Sequence, residues 1–248
     1  MCGRFTLRTP ADVLMQFFHT PEFPELRPRW NIAPTQQIVA ITAAQPDPTL
    51  FRAGWFRWGL VPFWADDPSI GARMLNARSE TAPEKPAFRA AFRKRRCLIP
   101  ADGFYEWQML ANGKKQPWWI HQPGEQPFAM AGLWESWIPA GKQAVAPSAE
   151  DSTDPLLSCT VLTTTASSDL CGLHDRMPVI LPPALWRQWL NPATPTDNLR
   201  QMLQPASPGT LKLLCVSTLV NRPTHDSQDC IAAVSPPEPL PGCSEPRV

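Results

Sequence analysis

FYEWQMLANGKKQPWWIHQ, residues 104–122, carries the strongest local structural signal in this chain. Two aromatic-rich runs, FYEWQML and QPWWIHQ, flank ANGKK. An Asn-Gly pair between such runs marks a tight turn, because glycine adopts the positive φ that a hairpin turn needs, so the stretch predicts an antiparallel hairpin. Working outward, IVAITAA (38–44), FRWGLVPFW (56–64, broken at Pro62), PFAMAGLWESW (127–137), LLSCTVLTTTA (156–166) and LKLLCVSTLV (211–220) read as further strands. Thr9 reads as an N-cap and Pro10 as the first helical position before ADVLMQFF. PAFRAAFRKRR (86–96), PPALWRQWL (182–190) and TDNLRQMLQ (196–204) supply other short helices. The expected fold is a single α+β domain over residues 2–232, with a mainly antiparallel, barrel-like core and short flanking helices. Residues 139–155, rich in Ala, Pro, Ser and Gly, read as a surface insertion, and residues 233–248 as a Pro-rich disordered tail.

Bulk composition narrows the function classes. The chain has 248 residues, 43% of them hydrophobic and 18% charged, which fits a globular protein with ample core. A net charge of +1 gives no global basic signal, so any nucleic-acid site must be a local patch. Seven cysteines without a CxxC pair do not form a disulfide or zinc framework by spacing. No signal-peptide core and no membrane-length apolar run is present, which points to a reducing, cytoplasmic location without membrane contact.

Four islands place polar groups in apolar or turn-rich surroundings: MCGRF (1–5), MLNARSET (74–81), PADGFYEW (100–107) and LHDRMPVIL (173–181). Cys2 becomes the N-terminal residue when Met1 is removed, and then carries an α-amine and a thiol on adjacent carbons. With a pKa near 7.7–8.0, about a quarter of an α-amine is free base at pH 7.4, against about a thousandth of a lysine. Such an aminothiol condenses with an aldehyde and closes a stable ring. Read alone, Cys2 is also simply a small residue near a chain end. Glu106 is either an exposed strand glutamate or a carboxyl desolvated by Phe104, Tyr105 and Trp107 for proton transfer. His174 is a satisfied turn residue or a catalytic acid, Asn76 a turn cap or a positioning group, and Arg78 a surface cation or a phosphate ligand. The run Arg93–Arg96 is a solvated helix end or part of a basic groove.

Taken together, MCGRF, WNIAPTQ (30–36), RWGLVPFW (57–64), LNARSET (75–81), CLIPADGFYEW (97–107), LHDRMPVIL (173–181) and VNRPTHDSQDCI (220–231) resemble, in order, the signature blocks of the SRAP (SOS-response-associated peptidase) family. The resemblance implies a covalent sensor of abasic sites in single-stranded DNA. Its N-terminal cysteine joins the ring-opened sugar aldehyde as a thiazolidine. It implies Cys2 as nucleophile, Asn76 as the group positioning the terminus, Glu106 as acid/base and His174 as the histidine at the sugar and phosphate. Arg4 and Arg78 match phosphate-binding arginines, and Arg176 joins them in the expected groove. Where the family often has tryptophans after WG-x-x-P, this chain has Phe63, Trp64 and Ala65, and Trp64 is the favoured base-stacking residue.

The expected partner is single-stranded DNA containing abasic sites, bound by a monomer that needs no cofactor or metal. Release of Met1 by self-cleavage and Glu106-assisted reversal of the crosslink belong to the same expectation. Two rivals differ in class. A Cys2 hydrolase, an autopeptidase or a glutamine amidotransferase, would use the same thiol. A non-catalytic single-strand binder would use none of it.

Overall fold

The structure, a computed structural model, describes residues 2–44, 47–139, 154–170 and 172–240. Its strands are β1 (Phe5–Leu7), β2 (Arg29–Ile32), β3 (Gln37–Ala43), β4 (Phe51–Trp58), β5 (Asn76–Arg78), β6 (Arg96–Ala101), β7 (Gly103–Met109), β8 (Lys115–His121), β9 (Phe128–Trp137), β10 (Leu156–Thr165), β11 (Arg176–Pro178), β12 (Ile180–Leu181) and β13 (Lys212–Cys215). The helices are α1 (Ala11–Phe18), α2 (Arg89–Lys94), α3 (Pro183–Leu190) and α4 (Thr196–Met202). The hairpin stands where the sequence puts it: β7 and β8 pair from Gly103↔His121 to Met109↔Lys115. Gly113 turns the chain at φ +77°, and the Asn112 side chain accepts from the Lys114 amide at 2.9 Å.

This hairpin is the centre of a five-stranded antiparallel sheet ordered β13-β8-β7-β1-β2. The second sheet closes on itself through β10-β4-β3-β6-β9 and back to β10, a five-strand barrel to which β5, β11 and β12 are added. Closure removes the open edges that a flat sheet would present. The α+β architecture with a barrel-like core is therefore as expected, with one addition: β10 runs parallel to both β4 and β5. Apolar side chains from both sheets, among them Phe5, Trp58, Leu98, Phe104 and Ile120, merge into one buried core. Gly103 is required where the sheets meet, since a Cβ there would lie 2.2 Å from the Trp119 indole nitrogen.

Three local readings change. Helix α1 starts at Ala11 with Pro10 at its cap position, because Thr9 turns its hydroxyl to the buried carboxylate of Asp102 instead of capping. The basic run 93–96 is not one solvated surface. Arg96 is buried and donates to the carbonyls of Phe92, Trp189 and Asn191, while Arg95 pairs with Glu135 at 2.6 Å. Residues 233–240 lie against the domain: Val216 and Ala233 form a bridge, the Gln108 amide donates to the Pro239 carbonyl at 3.0 Å, and Leu240 packs on the core. The boundary read from composition at 233 is thus not where packing stops. Most of the 139–155 insertion lies outside the described residues.

Candidate active site

The site forms where the N-terminal strand of the first sheet meets the added strands of the barrel. Antiparallel pairing of Phe5 with Phe104, and an Arg4 carbonyl that accepts from the Tyr105 amide at 3.0 Å, bring the start of the chain alongside β7. Cys2 is fully buried, and its thiol lies 3.8 Å from the Arg4 carbonyl oxygen. From the barrel side, β5 runs parallel to β10 with Asn76 opposite Val161. That register carries the Asn76 amide to the Cys2 carbonyl, to which it donates at 2.8 Å. This bond ties the two sheets together at the chain start.

Glu106, on β7, is only 3% exposed, and burial raises its pKa. Burial and the Glu106 charge both push the Cys2 thiol well above the ordinary range, so the two groups share one electrostatic environment. Asp175 also acts on Glu106, which brings the 173–176 segment to the same place. There the His174 Nδ1 stands 2.7 Å from an Asp175 carboxylate oxygen and 2.9 Å from the Arg176 amide nitrogen. The amide N–H needs an acceptor and the carboxylate needs a donor. An Nδ1 without a proton satisfies the first, and an Nδ1 that carries one, in the neutral or the charged ring, satisfies the second. Burial, first of all, lowers the His174 pKa and favours the neutral ring.

The arginines differ sharply. Arg78, opposite Thr163 on β5, is exposed; its carbonyl accepts from the Thr81 and Ala82 amides, while its side chain makes no hydrogen bond or salt bridge with other described residues. Arg176 grips Glu80 with two bonds of 2.7 and 2.9 Å and donates to the Thr163 carbonyl at 2.6 Å. That pairing holds the Glu80 carboxyl below the usual range, and a phosphate would have to displace it. Arg4 commits Nη1 to the Asn31 side chain and the Val220 carbonyl, both at 2.8 Å, so only the rest of its fork is left for a ligand. Phe63 and Trp64 project from the turn after β4 at 52% and 48% exposure, so accessibility does not favour one ring over the other.

The profile of SOS response associated peptidase (SRAP) matches residues 1–223. The chain belongs to the SRAP family. This SRAP chain is 41% identical over 236 residues to the abasic site processing protein YoqW of Bacillus subtilis, covering 93% of this chain and 99% of that one. It is 30% identical over 196 residues to abasic site processing protein YedK of Escherichia coli, covering 77% and 79%. Abasic site processing protein HMCES of Xenopus tropicalis is 33% identical over 201 residues, covering 72% of this chain and 56% of its own. Among solved structures, a Bacteroides thetaiotaomicron protein shares the fold with TM-score 0.80 and 21% identity, covering 94% of this chain and all of that one.

The structure brings Cys2, Asn76, Glu106 and the 173–176 segment to one place in the SRAP chain, and sequence reasoning missed the partners that hold Arg176 and Arg4. Thr163, Glu80 and Asn31 have no signal of their own, since their roles depend on strand register and long-range contacts. The one hint was that Glu80 and Asn31 sit inside the quoted islands. Among the described residues, no helix is long and apolar enough to cross a membrane.

Proposed function

We propose that this protein processes abasic sites in single-stranded DNA by forming a covalent adduct through Cys2 once that residue is the N-terminus. The observation that carries the reading is the convergence of Cys2, Asn76 and Glu106, with the Cys2 carbonyl fixed by the Asn76 amide at 2.8 Å. The names of relatives from Bacillus subtilis, Xenopus tropicalis and Escherichia coli support the substrate class. In the proposed sequence the Cys2 amine adds to C1′ of the open-chain aldehyde. Loss of water from the carbinolamine gives the imine, with Glu106 taking and returning protons. His174 acts one step earlier, giving a proton to the ring oxygen as it leaves C1′ and the closed hemiacetal opens to that aldehyde. The Cys2 sulfur then adds to the imine carbon, its proton passes to the nitrogen, and a thiazolidine results. Both nucleophiles belong to one residue, so ring closure has the high effective molarity of an intramolecular step. Asn76 restrains the backbone of that residue, which limits the conformations to be searched.

Glu106 beside Cys2 also fits release of Met1 by self-cleavage and protonation of the ring for reversal. Arg78 is the proposed phosphate ligand, with Arg4 and Arg176 contributing as their existing bonds permit, and Trp64 the stacking ring. The test is intact mass spectrometry of the chain lacking Met1, with and without a single-stranded oligonucleotide carrying one abasic site. A 1:1 heat-stable adduct, absent in Cys2→Ser although DNA binding persists, is the expected result. Binding with no adduct would leave a plain single-strand binder, and peptide or glutamine hydrolysis without an adduct would favour the hydrolase.

A further inference from the structure

Away from Cys2, the segment that follows β13 gathers three different donor types. His225, Asp229 and Cys230 each offer an atom within 4.8 Å of the others, and among the described residues this is the one such group of His, Cys, Asp and Glu. His225 Nε2 lies 2.9 Å from an Asp229 carboxylate oxygen and 3.2 Å from the Ser227 hydroxyl. Cys230 is fully buried with its thiol 3.4 Å from the His225 carbonyl, while His225 and Asp229 remain partly accessible. The result is a notch with a thiol beneath and an imidazole and a carboxylate at its mouth.

The notch is held from outside. The buried Asn31 amide donates to the carbonyls of Val220, Arg222 and His225, at 3.0, 3.0 and 2.7 Å. Asp226 is already taken by Arg29 and by the amides of Trp30 and Asn31, so it is no competitor as a ligand. Burial above all raises the Cys230 pKa, the Asp229 and Asp226 charges add to this, and Arg4 acts in the opposite direction. Tetrahedral zinc, with bonds of 2.0–2.3 Å, sets its ligand atoms roughly 3.3–3.8 Å apart. From within 4.8 Å of one another, the three ligand atoms have about an ångström to close to reach that spacing.

We propose that His225, Asp229 and Cys230 form a binding site for a borderline-soft divalent cation, Zn²⁺ in particular, with three protein ligands and a fourth position open to solvent. Sulfur, imidazole and carboxylate together select zinc over magnesium or calcium, which prefer all-oxygen sites. On binding, the Cys230 S–H bond breaks, the sulfur keeps the electron pair and coordinates the metal, and the proton leaves to solvent. His225 binds as the neutral ring. The ion would fasten the two ends of residues 225–230 to each other, in a segment already tied to the sheet edge by the Asn31 amide, and the proposal is independent of the chemistry at Cys2.

The experiment uses the full chain with Cys2→Ser, because a terminal aminothiol is itself a chelator. Co²⁺ is added as a spectroscopic probe and Zn²⁺ by calorimetry. The expected result is one equivalent bound, a sulfur-to-cobalt charge-transfer band, and release of a proton seen as a buffer-dependent enthalpy. Cys230→Ser should abolish the band, and Asp229→Asn should weaken Zn²⁺ binding at least roughly tenfold. A missing band, or one that survives Cys230→Ser, overturns the site. Asp229 is exposed, so its variant tests the proposal even where Cys230→Ser fails to fold, and unchanged affinity in Asp229→Asn overturns it as well.

Discussion

At the residue scale the decisive group is Glu106, a carboxyl with 3% exposure and a pKa raised by burial. For an acid whose folded-state pKa lies above its unfolded value, the folded protein holds more protons across the interval between the two. Stability therefore falls as pH rises through that interval. Glu106→Gln removes the ionisable group and keeps the shape. Its melting temperature should exceed that of the wild type at about pH 8, and the gap should close toward about pH 4, where both side chains are neutral. Each pK unit of elevation is worth about 1.4 kcal/mol, or roughly 3–5 °C in a chain of this size. A pH-independent difference would mean that the carboxyl is not desolvated. The same variant should slow adduct formation by about 10²-fold or more, measured by gel shift under denaturing conditions. Higher stability with lower activity is the pattern of a strained functional group, and it separates Glu106 from an ordinary strand glutamate.

At the scale of elements, Arg96 shows how a sequence pattern misleads. In RKRR it is one of four like residues, and the run reads as a solvated helix end. The last of the four begins β6, is 2% exposed, and holds the end of α3 through the Trp189 and Asn191 carbonyls. Burial lowers its pKa to about 10, so it stays charged at neutral pH. Arg96→Met leaves three acceptors without their donor, an expected loss of about 3 kcal/mol or more, or roughly 6–12 °C in melting temperature. Arg96→Lys, which lacks the planar fork, should recover only part of it. A neutral Arg96→Met would mean water replaces the guanidinium at little cost.

The same contrast explains which elements were legible. The β7–β8 hairpin, β3, β9 and β10 are long enough for alternation and turn residues to define them. Strands β1, β5, β11 and β12 have two or three residues each, too few for any periodicity. They exist because longer strands offer them a free edge. Asn76 and Arg176 ride on two of these short strands. Their residue types were visible in the islands, but their placement relative to Cys2 was not.

For the molecule as a whole, a net charge of +1 means that long-range attraction to DNA is weak, so binding must come from local cations not already spent on carboxylates. Arg95, Arg176 and Arg200 are paired with Glu135, Glu80 and Glu84, and Arg96 is buried. Arg78 is the exposed cation beside the site without such a pair among the described residues, one strand position from Ala77 in the core and two from Asn76. It should therefore carry more of the salt dependence than Arg176 does. Each phosphate neutralised on a single strand contributes about −0.7 to the slope of log K against log salt. Arg78→Ala should weaken binding to single-stranded oligonucleotides of every sequence and reduce the slope by about that amount, measured by fluorescence anisotropy over a salt series. Arg176→Ala frees Glu80 as an unpaired anion beside the same groove, so its affinity loss should grow at low salt, where repulsion is least screened. Equal slopes for wild type and Arg78→Ala would remove Arg78 from the groove and direct attention to the half-committed fork of Arg4.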